Sequence, residues 1–480
     1  MRFPVASPAP VPGWLRVPVD ANALAPLVWP STATRDDAGR LVVAGRDAAS
    51  LAAEFGTPLY VVDEAEARAR AARIKRAFDD AAASVGTTVT VYYAGKAFLS
   101  GAIVRWVTDE GLAVDVCTGG ELAVALAAGA DPARLGFHGN NKSIAEIERG
   151  VGAGVGAIVI DSEIEIERVA DAAARAGRVQ AVRLRVNSGV HASTHEFLAT
   201  AHEDQKFGVS LDRAVELGTR IRSHPSLHFL GLHCHIGSQI FDSAGFAESA
   251  ERLLAAHAEL SRLAPVPELN LGGGFGIAYT SVDEPAPIEE IAAGIVRAVA
   301  IGCREHDVPV PKLAFEPGRS IIGPAGVTLY TVGTVKPVPI EGGVRHYVSV
   351  DGGMSDNART ALYGAEYSAR LASRVSAAAP ALVRVAGKHC ESGDIVVDAE
   401  YLPGDVAPGD LLAVPATGAY CWSLASNYNH VPRPPVVAVR EGVARVIVHG
   451  ETEAGLLARD AGLTAPDAPP TVRLVEGNPA

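Results

Sequence analysis

With 480 residues the chain is longer than one ordinary core, so two domains, or a large barrel with a smaller companion, are expected. A formal net charge of −13 excludes the basic stripe that releases counterions from a nucleic acid or an anionic membrane, which leaves small molecules as the expected ligands. Hydrophobic residues at 48% and charged residues at 20% fit a globular enzyme, and the lack of any apolar run near about 20 residues or of a cleavable leader pattern points to a cytoplasmic one.

The first 55 residues carry Pro4, Pro8, Pro10 and Pro12 and then a short apolar run from Leu41 to Ala44. They read as an N-terminal extension whose strand completes the sheet of a later β domain. From residue 56 to 319 short apolar runs alternate with Ala-, Leu- and Glu-rich stretches of helical period. The runs begin at Val91, Leu112, Arg134, Ala157, Ala181, Phe229, Glu268 and Lys312. Near-continuous apolar character suits strands buried on both faces, and eight such units read as a (β/α)8 TIM-like barrel. The helices between them include Gly119 to Gly129, Glu163 to Gly177, Leu211 to Ser223 and Phe246 to Leu263. Residues 320–465 change to Val-, Gly- and Pro-rich runs with period-two alternation, read as a C-terminal antiparallel β domain. Residues 466–480 read as a flexible tail.

Polar residues gather at the ends of the barrel runs, where the loops of such a fold converge on one mouth. Lys96 ends the first run, Asp115 lies late in the second, and His138 and Asn140 end the third. Asp161 closes the fourth; Arg185 and Asn187 end the fifth, His235 and Ser238 the sixth, Gly272 to Gly276 the seventh, and Glu316 with Arg319 the eighth. A lysine at an apolar strand end either snorkels to solvent or is consumed in a covalent bond such as an imine. The GGGFG run is either a strand-exit turn or a phosphate cradle, since missing Cβ atoms let backbone N–H groups come close. Glu316 needs a cationic partner, either Arg319 or a protonated ring nitrogen. His233 and His235 share a strand face, but no third ligand stands near in sequence, so no metal is expected. Five cysteines, Cys117, Cys234, Cys303, Cys390 and Cys421, leave no complete disulfide framework and are expected as free thiols.

The ordered motifs YYAGKA, DVCTGGEL, FHGNNKS, RLRVNSGV with THEF, KFGVS, GLHCHIGSQI, LNLGGGFGIAY, FEPGRSI, VDGGMSDNART, GKHCESGD and TGAYCWSLASNYN closely resemble the fold-type III pyridoxal-phosphate decarboxylases, and within them the bacterial diaminopimelate decarboxylases. The resemblance runs from about Thr57 to about His449. It implies a barrel of the alanine racemase type and pyridoxal 5'-phosphate as cofactor. Lys96 resembles the Schiff-base lysine, His235 the residue stacked on the ring, and Glu316 the partner of the ring nitrogen. Ser238, Gly273, Gly274, Pro317, Gly318 and Arg319 resemble positions around the phosphate, and Tyr420 one that reaches the cofactor from the β domain. Arg319, Arg359, Tyr363 and Tyr420 resemble substrate contacts. Cys390 resembles the proton donor and Glu391 the reader of the distal ammonium, both offered across a homodimer interface. The implied reaction is decarboxylation of meso-2,6-diaminopimelate to L-lysine. The alternatives are a same-fold decarboxylase of ornithine, arginine or carboxynorspermidine, or a homologue that binds the cofactor without turnover.

Overall fold

Eight short apolar runs become eight parallel strands in the computed structural model, which describes residues 11–190 and 206–463. The strands are β1 (Val89–Ala94), β2 (Ala113–Val116), β3 (Leu135–Phe137), β4 (Ala157–Ile160), β5 (Gln180–Asn187), β6 (Leu227–His233), β7 (Glu268–Asn270) and β8 (Lys312–Phe315). Each pairs in parallel with its sequence neighbour, and β8 pairs back onto β1, which closes the barrel. Val114, Phe137, Ile158 and Leu184 are fully buried. Each such side chain stabilises the barrel by about 1.5–3 kcal/mol.

The covering helices begin at the signals the chain supplies. Ser100 and Thr118 accept N–H groups of Ile103 and Glu121 at the starts of Gly101–Asp109 and Gly119–Ala127. Ser143 and Glu146 form a reciprocal capping box at Ile144–Ala153. Because these caps lie just past β1, β2 and β3, they terminate the loops of the mouth. All eight expected strands are present, with ends shifted by a few residues where a run continues into a polar loop. The THEF segment and the tail from 466 lie outside the described residues.

The β domain differs from its expected form in two respects. Its sheet runs in the order Ile395–Pro403, Pro380–Ala386, Gly343–Val350, Gly326–Ile340, Leu59–Asp63, Val436–Arg440, Val443–Val448. The N-terminal strand that completes it is therefore Leu59–Asp63, whereas Leu41–Val43 forms a separate three-stranded sheet with Thr34–Arg35 and Arg46–Asp47. Leu59 and Val61 are apolar on the face that Leu41, Val43, Val327 and Val437 also bury, so the run at Leu41 packs over the sheet instead of extending it. The sheet is also mixed and not wholly antiparallel: Gly343–Val350 pairs in parallel with Pro380–Ala386, and Val436–Arg440 with Leu59–Asp63. Neither pair is joined by a tight hairpin, so no turn imposes opposite directions. No helix among the described residues is long and apolar enough to cross a membrane.

Candidate active site

Lys96 lies in the single turn Gly95–Ala97 that follows β1. That turn is gripped from three sides. Tyr93 Oη donates to Phe98 O at 2.6 Å, Ala94 N donates to Pro317 O at 3.1 Å, and Tyr420 N donates to Ala97 O at 2.7 Å. Gly318 allows the β8 loop to lie this close, because a Cβ there would sit 2.9 Å from Ala94 O. The Lys96 side chain is exposed at the mouth. Burial and then the Lys96 charge push the half-buried His235 imidazole well below its ordinary value. His235 is thus neutral, and its Nδ1 accepts the Gly273 N–H at 3.3 Å.

Glu316 sits beyond β8 with 8% of its surface exposed. Asn270 Nδ2, at the end of β7, donates to its Oε1 at 2.7 Å. His233 Nε2 lies 3.1 Å from the same oxygen, and His138 Nε2 lies 3.4 Å from it. Although burial opposes ionisation, His233 and His138 hold the Glu316 carboxyl well below the usual carboxylate range. Arg319 is not its partner: it bonds Ser238 Oγ at 2.8 Å and Tyr279 Oη. Gly273 presses against the Glu316 backbone, where a Cβ would fall 2.0 Å from its carbonyl oxygen. The GGGFG loop and the FEPGR loop therefore form one packed rim.

A second cluster joins the barrel to the β domain. Arg359 is 6% exposed, pairs with Tyr367 Oη, and lies over the rings of Tyr279 at 4.8 Å and Tyr420 at 5.9 Å. Arg319 lies over the Tyr420 ring at 4.6 Å. Two guanidinium groups and three tyrosines thus line one wall, a set of donors suited to carboxylates and phosphates. Tyr363 stands apart from this cluster's recorded contacts, 70% exposed at the end of the short helix Arg359–Tyr363.

Cys390 and Glu391 occupy an exposed loop of the β domain. Asp394 Oδ2 accepts the His389 N–H at 2.7 Å, and His389 Nε2 lies 2.8 Å from Ser355 Oγ. Asn429 Oδ1 accepts the Cys390 N–H at 3.2 Å and sits 3.3 Å from His389 Nδ1. Tyr428 Oη reaches Glu391 Oε2 at 3.4 Å. All five cysteines are free.

Sequence reading missed the surroundings of Glu316. It paired His233 with His235, whereas His233, His138 and Glu316 offer ligand-type atoms within 4.8 Å of one another. A third ligand type therefore does stand near His233, on strands distant in sequence. His138 and Asp115 were legible only as strand-end polar groups, and Asn270, Tyr279 and Tyr367 carried no signal. The donor set fits pyridoxal phosphate. It offers a strand-end amine, a flat imidazole, an ionised buried carboxylate for a ring nitrogen, and a glycine rim beside Ser238 and Arg319. Among the described residues both Asp115 oxygens, His138 Nε2 and His233 Nδ1 are buried without a hydrogen bond, although Asp115 Oδ1 and His138 Nε2 stand at ion-pair distance, 3.2 Å.

Residues 71–323 match the pyridoxal-binding domain of the pyridoxal-dependent decarboxylases. The diaminopimelate decarboxylase of Mycobacterium tuberculosis H37Rv is 50% identical over 443 residues, which cover 90% of this chain and 98% of that protein. That of Bacillus subtilis 168 is 46% identical over 430 residues, covering 88% and 95%. Among solved structures, diaminopimelate decarboxylase from M. jannaschii in co-complex with L-lysine superposes with a TM-score of 0.83 at 32% identity, covering 90% of this chain and 98% of that one. The Helicobacter pylori protein complexed with L-lysine gives 0.77 at 28%, covering 85% and 98%.

Proposed function

The chain belongs to the diaminopimelate decarboxylases, and from that premise we propose which of its residues remove carbon dioxide from meso-2,6-diaminopimelate to leave L-lysine, the last step of lysine biosynthesis. The observation that carries the reading is Glu316, a buried carboxylate held ionised at the same mouth as Lys96 and His235. Bound pyridoxal phosphate supplies a protonated ring, conjugated to the substrate's amino group, that accepts the electron pair left by the departing carboxylate.

Lys96 is the amine that holds the cofactor covalently, and the grip of Pro317 and Tyr420 on its turn fixes where that amine emerges. His235, neutral and flat, covers one face of the ring. Glu316 keeps the ring nitrogen protonated. Ser238, Gly273, Gly274, Gly318 and Arg319 surround the phosphate, and Tyr420 closes the pocket from the β domain. Arg359 pairs a carboxylate of the substrate, with Tyr279 and Tyr367 fixing the guanidinium plane. Cys390 delivers a proton to the α-carbon, and Glu391 pairs the distal ammonium. A carboxylate and an ammonium at the non-reacting end are what ornithine and arginine do not offer together, which favours diaminopimelate.

Cys390 and Glu391 are exposed, and their hydrogen-bond partners are His389, Ser392, Gly393, Asp394, Tyr428 and Asn429, none of them a group of the mouth. This supports a homodimer in which each mouth is completed by the loop of the other subunit; the exposed Tyr363 is then available to the same junction. Five free thiols fit a reducing compartment, which supports the cytoplasm. The test is carbon dioxide release from meso-diaminopimelate compared with ornithine, arginine and lysine. Turnover confined to the first is expected, and equal turnover of ornithine overturns the assignment of Arg359 and Glu391.

A further inference from the structure

Two imidazoles contact the same carboxylate, yet their surroundings drive them to opposite charge. His233 is pushed down to about 4, chiefly by burial, which outweighs the attraction of Glu316. His138 is also buried, but Glu316 and then Asp115 outweigh the burial and push it up to about 9. The two rings meet edge to face at 5.1 Å, so they share one pocket. What separates them is Asp115, whose Oδ1 lies 3.2 Å from His138 Nε2. The charged groups that weigh on His233 are Glu316, His138 and Arg185.

The charges of this cluster can be counted. Glu316 is held ionised, burial and Glu316 push Asp115 up to about 6, His138 is pushed to the cationic side, and His233 is neutral and serves Glu316 as an N–H donor, so near neutral pH these four groups carry one negative charge more than positive. A lone buried carboxylate takes up a proton, because desolvation disfavours its charged form. One cation beside it keeps it ionised but neutralises the pair, and nothing then remains to hold a proton on a facing ring nitrogen. A second carboxylate restores the missing charge, and Asp115 does so at the same nitrogen that faces Glu316: its Oδ1 lies 3.2 Å and Glu316 Oε1 3.4 Å from His138 Nε2. Of the other charged or titratable groups nearby, Arg183, which also attracts Asp115, bonds Glu268 at 2.5 Å and Tyr92 Oη at 2.8 Å, Arg185 lies 3.6 Å from Asp161, and Glu121 accepts the Cys117 N–H at 2.6 Å.

We propose that Asp115 is a positioning residue that acts through His138: it keeps the His138 imidazole cationic, so that Glu316 stays ionised while the Asp115–His138–Glu316 group presents one surplus negative charge to the protonated ring nitrogen of the cofactor. This rests on the assignment of Glu316 as the partner of that nitrogen. Space around Asp115 is tight, since a Cβ on Gly136 would lie 2.2 Å from its Oδ1, so asparagine is the replacement that preserves shape.

The experiment uses the full-length apoprotein with ring-15N histidine, followed by NMR from pH 5.5 to 9.5. The His138 resonance is identified by its loss in His138→Gln. His138 is expected to remain cationic at pH 7.5 in the wild type and to titrate about 1–3 pH units lower in Asp115→Asn. Titration with pyridoxal phosphate, read by quenching of tryptophan fluorescence, is expected to show about tenfold weaker binding by Asp115→Asn. A neutral wild-type His138 at pH 7.5, or a titration unmoved by Asp115→Asn, overturns the proposal; the wild-type measurement decides even if the variant does not fold. Glu316→Gln separates the two readings. If it binds the cofactor with unchanged affinity and absorption spectrum, the ring-nitrogen assignment fails, whereas the charge state of His138 is decided by the NMR titration alone.

Discussion

The Glu316 pocket and the Cys390 loop are built on opposite principles. The pocket is buried and assembled from the ends of five barrel strands, with His138, His233 and Asn270 converging on Glu316. The loop is exposed, lies within one stretch of the β domain, and is held by backbone N–H bonds to Asn429 and Asp394. A group that must stabilise charge works best where water is excluded and its partners are fixed in advance. A group that must hand over a proton has to approach and withdraw, and a loop anchored through its backbone leaves the side chain free to do so. Under the proposed assignment, the electrostatic part of the task falls to the barrel and the proton-transfer part to the β-rich region.

The largest effect expected on the pocket side is from Lys96→Ala, which should yield a colourless protein with turnover at background; a variant that kept the yellow, borohydride-sensitive band would remove Lys96 from its assigned place. On the loop side Cys390→Ala should keep cofactor affinity but lose roughly 100-fold or more in kcat. Mixing these two inactive proteins should restore activity through hybrid dimers, and no recovery despite confirmed subunit exchange would break the comparison at its base. Smaller still is Asn429→Ala, which loosens the loop without touching either reactive group. About a fivefold fall in kcat is expected from the loss of a bond worth about 1 kcal/mol, with cofactor binding unaltered in a fluorescence titration.

The pH dependence of stability sharpens the same contrast. His138 is raised above its unfolded value, so its stabilising contribution is fully present below about pH 6.5 and is lost as pH rises through about 9. For one group the full span is on the order of 3 kcal/mol. Urea unfolding of the apoprotein at pH 6, 7.5 and 9 should therefore show a loss across this window that His138→Gln lacks, and identical slopes for the two proteins would refute a cationic His138.

Much of this was legible before any coordinates. Apolar runs of four to eight residues between helical stretches reported the barrel, because a strand buried on both faces has no position for a polar side chain until it reaches the mouth. The same constraint exposed Lys96, His235, Glu316 and Arg319 as strand-end groups. Two things were not legible: Leu59 falls in the stretch read as barrel, and the run at Leu41 was the one expected to complete the β-domain sheet. Both are apolar, and only packing shows that one supplies backbone to the sheet while the other covers it.

By itself, then, the chain's order of residues determined the barrel, the turn that carries Lys96 and the class of cofactor, since each depends on neighbours close in sequence or on a motif that has to be contiguous. Tertiary structure alone decided which charges meet. His233 and Glu316 are 83 residues apart, and Asp115, His138 and Asn270 come from three further strand ends. Barrel closure brings them into one pocket, and an imidazole's charge is set by the carboxylates beside it in space, which local sequence does not encode.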